Sequence, residues 1–245
     1  MGSDTLFLTF YGNNIELLRP PLKKGQVAYS LNRRASIKDI IEALGVPHTE
    51  AGMLLLNGRE LTFQHLPDAG EHIHILPFNH EIPATTPTVL RPRPLGNLRF
   101  MFDINVCKIG RNLRMIGLDA VPVPGGTLRD VAAAAAIEER ILLSRNRELL
   151  KLGDIIYGHL LRSENHQKQL VEVSERYNLK TCLKPFSRCL VCNGILVPAV
   201  KKDILGLLEP LTKKYYTEFK QCERCKRVYW QGSHHAQMQK LLRRL

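Results

Sequence analysis

The sequence predicts a multidomain chain of mixed α/β and α+β class, and three observations predict it. The first 80 residues place strand-like patterns on either side of one helical pattern, residues 99 to 150 repeat strand then helix three times, and four of the six cysteines occur as two C-x-x-C pairs. At 245 residues, 44% of them hydrophobic, the chain can bury one or two cores and is too apolar to be disordered.

In Thr5 to Tyr11 the apolar Leu6, Leu8 and Phe10 fall on one face, and alternation returns near Gln26 to Leu31, which reads as a hairpin. Ser36 offers an N-cap to a helix carrying Ile37, Ile40, Ile41 and Leu44, and Gly45 stops it. Gly52 to Asn57 and His72 to Pro77 complete the pattern as strands. His72 and His74 alternate with Ile73 and Ile75 and therefore read as a solvated strand face, not as metal ligands. Strands around one helix within residues 1–80 describe a β-grasp. Residues 81–97 hold Pro83, Pro87, Pro92 and Pro94 and read as a linker.

Residues 98–182 form the middle domain. Arg99 to Phe102 is a short apolar strand ending in Asp103, and an acid at the carboxyl end of such a strand sits where α/β sheets place their ligands. Val106 to Ile116 follows as a helix, apolar at Ile109, Leu113 and Ile116 and basic at Lys108, Arg111 and Arg114. Ala120 to Val123 is a second strand, Thr127 to about Arg140 an alanine-rich helix containing Asp130, and Ile141 to Leu143 a third strand. The Ser144-Arg145-Asn146 turn then leads into another helix. This order implies a parallel sheet with right-handed crossovers, bringing Asp103, Asp130 and the 144–146 turn to one sheet edge. Glu138, Glu139 and Asp154 read as helix-end or loop charges.

Residues 183–245 contain Cys189-Leu190-Val191-Cys192 and Cys222-Glu223-Arg224-Cys225. Each pair can grip one ion with two thiolates, and two pairs complete a tetrahedral Zn²⁺ site with no position left for water, hence a structural one. Cys107 and Cys182 are solitary. His234 and His235 follow the second pair and read as facing solvent or phosphate. Trp230, beside Arg227 and a basic terminal helix, suits either stacking on bases or packing the zinc module.

Charge is uneven: residues 1–80 carry seven Lys+Arg and eight Asp+Glu, while residues 81–245 carry 28 and 15. A surplus confined to one part of the chain suits a polyanionic partner or a solubilising surface. No apolar run approaches the length of a membrane span, and Met1 to Phe10 lacks the basic start of a secretory signal, so a cytoplasmic protein is expected. Gly2 is not followed by the Ser or Thr at position six that myristoylation needs, since Leu6 stands there.

Two family resemblances extend this reading. Ser36-Ile37-Lys38-Asp39-Ile40-Ile41-Glu42-Ala43-Leu44-Gly45-Val46-Pro47, Leu55-Leu56-Asn57-Gly58-Arg59 and Asp68-Ala69-Gly70 resemble the small ubiquitin-like sulfur carriers. Those carriers react through a free terminal Gly-Gly, whereas here the last strand runs through Leu76-Pro77-Phe78 into further protein, which excludes carrier chemistry. Phe102-Asp103, Leu113-Arg114-Met115-Ile116-Gly117, Asp130 within Leu128 to Ala136, Leu142-Leu143-Ser144-Arg145-Asn146 and Arg227-Val228-Tyr229-Trp230-Gln231-Gly232-Ser233-His234 resemble the Mut7-C family of PIN-like ribonucleases.

The resemblance implies a ribonuclease in which Asp103 and Asp130 hold Mg²⁺ or Mn²⁺, with a zinc ribbon at the end of the chain and the β-grasp available to a protein partner. It also implies RNA contacts from Lys108, Arg111, Arg114, Arg145, Arg227 and Trp230. Asn146 stands where the family pattern usually has Asp. Its amide oxygen can coordinate a metal but brings no negative charge, which makes an RNA-binding protein without cleavage the alternative expectation.

Overall fold

The computed structural model describes residues 4–243, apart from the side chains of residues 233, 234, 236 and 237. The N-terminal elements are β1 (Thr5–Phe10), α1 (Asn13–Leu17), β2 (Gln26–Ser30), α2 (Ile37–Ala43), β3 (Ala51–Leu56), β4 (Arg59–Glu60) and β5 (His72–Pro77). Then come β6 (Arg99–Phe102), α3 (Cys107–Met115), β7 (Asp119–Pro122), α4 (Leu128–Ile137), β8 (Ile141–Ser144), α5 (Arg147–Leu150), β9 (Gly158–Leu160) and α6 (His166–Tyr177). The chain finishes with β10 (Leu196–Ala199), α7 (Pro210–Tyr215), β11 (Phe219–Cys222), β12 (Val228–Tyr229) and α8 (Ser233–Leu242). These elements divide into two compact units, one containing residues up to Leu98 with Pro124–Leu161, the other Arg99–Val123 with Arg162 onward.

In the first unit, the period-two pattern of Leu6, Leu8 and Phe10 becomes one buried strand face, shared with Leu54, Ile73 and Ile75. The sheet order is β2-β1-β5-β3-β4, with β1 antiparallel to β2 and parallel to β5. Ser36 caps α2 by accepting the amide of Asp39 at 3.2 Å, and the helix buries Ile37, Ile40 and Ile41. This is a β-grasp. His72 stacks on Phe7 with ring centroids 4.5 Å apart, and His74 Nδ1 lies 2.8 Å from the Tyr11 hydroxyl, so both histidines are engaged on the strand face.

The same unit holds the parallel pair β8–β9, in register Leu142↔Gly158 to Ser144↔Leu160. The β-grasp is joined to this pair through a buried polar network. Glu50 Oε1 accepts the Leu160 amide at 2.7 Å and lies 3.1 Å from His159 Nδ1, while His48 Nε2 donates to the Ile155 carbonyl at 2.8 Å. Residues 81–97 form no helix or strand, in keeping with their prolines, yet Ala84, Arg91 and Leu95 are buried. Arg91 donates to the carbonyls of Ala51 and Thr49 on one side and Ile156 on the other, and its guanidinium lies 4.7 Å from the Phe78 ring centroid.

In the second unit β6 and β7 run parallel, Arg99 opposite Asp119 and Phe102 opposite Pro122, with α3 as the crossover. Gly110 lets α3 press onto β6: a Cβ there would lie 2.1 Å from the Phe102 ring. Strands β10, β11 and β12 form a separate antiparallel sheet, in which Leu196 faces Cys222 and Gln221 faces Val228. The middle of the chain is thus parallel α/β and its end an antiparallel ribbon around a cysteine cluster.

Candidate active site and cysteine metal centre

The four paired cysteines meet at one point. Their sulfurs all lie within 4.8 Å of one another, with Cys189–Cys225 at 3.6 Å and Cys192–Cys222 at 3.4 Å. A tetrahedral ion with Zn–S bonds of about 2.3 Å needs sulfurs about 3.8 Å apart, so the cluster has the size of a tetrahedral tetrathiolate site. The amides of Cys192 and Cys225 point at Cys189 Sγ and Cys222 Sγ, each at 3.5 Å, and stabilise thiolates. The Tyr229 hydroxyl lies 3.1 Å from Cys189 Sγ and also accepts the Leu190 amide. Burial opposes ionisation of Cys189, but the Cys192 amide and the Tyr229 hydroxyl outweigh it and bring its thiol down to about 6. Burial and the neighbouring thiols of Cys222, Cys225 and Cys189 push Cys192 up to about 12. Cys189, Cys192, Cys222 and Cys225 are the residues that would hold a divalent cation, all four as thiolates.

The first knuckle is anchored to α3 and β7. Arg114 is 7% exposed, and its guanidinium donates to the carbonyls of Ala120 (2.8 Å), Leu190 (3.1 Å) and Val191 (2.8 Å). Burial pulls its pKa down, against the opposing pull of Cys189, Cys192 and Asp119. Arg114, expected to contact RNA, turns these donors to protein carbonyls. Asn193, at φ 69, adds to the join by accepting the Ala120 amide and donating to Asp119. Gly117 of the same Leu-Arg-x-x-Gly motif has φ 94, and a Cβ there would lie 2.1 Å from the Lys184 carbonyl oxygen. Through Arg114 and Gly117 the motif packs against residues 184–191.

Asp103 ends β6 as expected and is 6% exposed; its Oδ1 accepts the Asn105 amide at 2.8 Å and caps a short 3₁₀ turn at Ile104–Val106. Asp130 is exposed in the first turn of α4, where it forms a capping box with Thr127. Its Oδ2 accepts from the Thr127 amide (2.7 Å) and hydroxyl (2.8 Å), bonds that hold its carboxyl below the usual carboxylate range. Asn146 is the N-cap of α5, its Oδ1 accepting the amides of Glu148 and Leu149 at 3.0 and 3.2 Å. Asp130 and Asn146 belong to the first unit and Asp103 to the second. Among the described residues, the cysteine quartet is the only group of three or more His, Cys, Asp or Glu side chains disposed to hold a metal.

The remaining basic candidates are exposed. On α3, Lys108 and Arg111 face outward while Ile109, Gly110 and Leu113 face inward. Arg111 stands on the rim of two grooves. One, of about 360 Å³, is lined by Lys108, Asn112, His166 and Gln167; the other, of about 750 Å³, by Phe102, Pro122, Val191 and Arg224. Asn112 Nδ2 donates to the His166 carbonyl at 3.1 Å, which fixes the amide's orientation, so His166 Nδ1, 2.9 Å away, accepts. Arg145 and Arg227 are exposed, and Trp230 is 38% exposed near Tyr216. The side chain of His234 lies outside the described residues. His235 is half-buried, its ring centroid 4.1 Å from that of Phe186.

The Mut7-C RNAse domain family matches residues 98–242, more than half of the chain, and includes Asp103, the Leu-Arg-x-x-Gly motif and all four clustered cysteines. The chain belongs to the Mut7-C RNAse family. The Mut7-C ubiquitin family matches residues 3–83, the β-grasp, so the chain joins the two Mut7-C domains in that order. No curated protein and no solved structure matches the chain. Membership places this Mut7-C protein in a ribonuclease-type family, and among the described residues no helix is long and apolar enough to cross a membrane.

Proposed function

We propose that this Mut7-C protein is a metal-dependent ribonuclease that hydrolyses RNA phosphodiesters. The observation that carries the reading is Asp103: a nearly buried carboxylate at the carboxyl end of a parallel strand, followed at once by a helix that exposes Lys108 and Arg111. Asp103 and Asp130 are the residues that would hold Mg²⁺ or Mn²⁺, whose charge would orient water and offset the charge developing on the phosphate oxygens. The capping bonds to Thr127 keep Asp130 ionised and leave its other oxygen for a ligand. Lys108, Arg111, Arg145 and Arg227 would bind the RNA backbone, with His166 lining the groove beside Lys108. The cysteine quartet would hold zinc as a structural ion, and the protein would work in the cytoplasm.

The test is RNA turnover by the full chain with Mg²⁺ or Mn²⁺. Wild type should cleave and Asp103→Asn should bind RNA without cleaving; normal cleavage by Asp103→Asn would overturn the assignment. One observation favours a second reading, an RNA-binding protein that has lost cleavage: Asn146 adds no charge, and its Oδ1 already accepts two helix amides. Binding with no turnover at any metal concentration would establish that reading. The β-grasp would serve a protein partner through surface other than residues 48–51, whose polar groups bond within the chain.

A further inference from the structure

We propose that the zinc ribbon and α8 form a pocket that stacks an unpaired base of single-stranded RNA. The inference rests on the reading of RNA as the substrate and adds a binding site for it. A cavity of about 480 Å³, within the range of small-ligand pockets, lies on the ribbon. Its walls include Phe186, Tyr229, Trp230 and His235, together with Leu196 and Met238. Every base has a π-face, so aromatic walls accept bases without regard to sequence.

Phe186 shows that one wall is held deliberately. It has φ 56, a left-handed conformation that is an outlier for a bulky residue and is strained. Both of its backbone groups are fixed: the amide donates to the Met115 carbonyl at 2.9 Å, and the carbonyl accepts from Lys220 Nζ at 2.9 Å. The ring is held against His235, and burial together with Lys220 keeps that imidazole's pKa below its ordinary value, favouring an uncharged, stackable ring. The rim supplies polar edges at Glu218 and Gln231 that can meet a base's donors and acceptors.

Charge selects the occupant. Residues 183–245 carry thirteen Lys+Arg against four Asp+Glu, a surplus of nine out of the chain's twelve. An aromatic cavity in so cationic a module fits a ligand that is apolar in its plane and anionic along its backbone, which describes a nucleotide. An apolar peptide would gain nothing from those cations.

Trp230 is the only tryptophan in the chain, so its emission reports this cavity alone. The full chain is titrated, without added Mg²⁺ or Mn²⁺, with a single-stranded oligoribonucleotide, an abasic oligomer of the same length, and inorganic polyphosphate. The base-bearing oligomer should quench Trp230 and bind about ten-fold more tightly than the abasic one. Phe186→Leu and, separately, Met238→Glu should remove most of that preference. Equal binding of the base-bearing and abasic oligomers, or saturation by RNA with unchanged Trp230 emission, overturns the proposal, and neither result depends on a variant folding. Cleavage by Asp103-dependent chemistry without quenching would leave the ribonuclease standing and remove the pocket; quenching without cleavage would do the reverse.

Discussion

Glu50 and His159 are buried partners, 2% and 4% exposed at their side chains and 3.1 Å apart, and they tie the β-grasp to strand β9. Glu50 also accepts the Leu160 amide, so one carboxylate satisfies two donors that have no access to water. Removing it takes the side-chain acceptor from the Leu160 amide. Glu50→Ala should destabilise the first unit by about 3 kcal/mol, and Glu50→Gln, which keeps an acceptor for Leu160, by about 1 kcal/mol. Urea unfolding with amide exchange read at Leu160 measures both; unchanged exchange in Glu50→Ala would show that the network contributes nothing.

Arg114 and Arg111 lie three residues apart on α3, yet one is buried against carbonyls and the other is exposed beside two grooves. Arg114→Lys keeps the charge but loses the fork that reaches Ala120, Leu190 and Val191 together, and should cost about 2–3 kcal/mol of stability. Its RNA affinity should keep the wild-type salt slope. Arg111→Ala should fold normally and lower that slope by about one. If the two variants exchanged these behaviours, the roles assigned to the two arginines would be reversed.

These two arginines show what is legible in a sequence and what is not. The strand faces of β1 and β5, the Ser36 cap, Asp103 at the end of β6 and the zinc-type cysteine spacing are local signals that chemistry imposes on neighbouring residues. Arg114 gives no such signal, because its acceptors at Leu190 and Val191 lie 76 and 77 positions away. Glu50 is equally silent, its partners being 109 and 110 residues distant. Strand β9 is three residues long, too short for alternation to declare itself. Asn146 was legible as the start of a helix but not as its cap, since the family pattern draws attention to metal ligation at that position.

The cysteine quartet should carry one equivalent of zinc, and its loss should be felt beyond the ribbon. Asn193, in the first knuckle, accepts the Ala120 amide and thereby holds the edge of β7. Stripping the metal should therefore speed hydrogen exchange at Ala120 as well as within β10–β12. Cys189→Ser with Cys222→Ser should abolish zinc in metal analysis; full retention would mean that other residues bind it.

Asn146 decides between the enzyme and the binder, and its cap makes the test clean. Aspartate is as good an N-cap as asparagine, so Asn146→Asp should keep the bonds to the amides of Glu148 and Leu149 and leave α5 intact. What changes is charge: a carboxylate beside the Ser144–Asn146 turn adds a negative group with a second oxygen, where the amide offers only a neutral one already facing its own helix. If Asp103 and Asp130 hold one Mg²⁺ or Mn²⁺ in wild type, two carboxylates compensate the ion less well than three, and cleavage should require a high metal concentration. Asn146→Asp should then lower the Mn²⁺ concentration giving half-maximal cleavage, about ten-fold for each 1.4 kcal/mol gained in metal binding, while melting within a degree or two of wild type. Asn146→Ala, which loses the cap, should lower stability by about 1 kcal/mol without improving metal use. A wild type that cleaves with the same Mn²⁺ dependence as Asn146→Asp would place the metal away from this turn. If neither protein cleaves any RNA while both bind it, the binding-only reading holds.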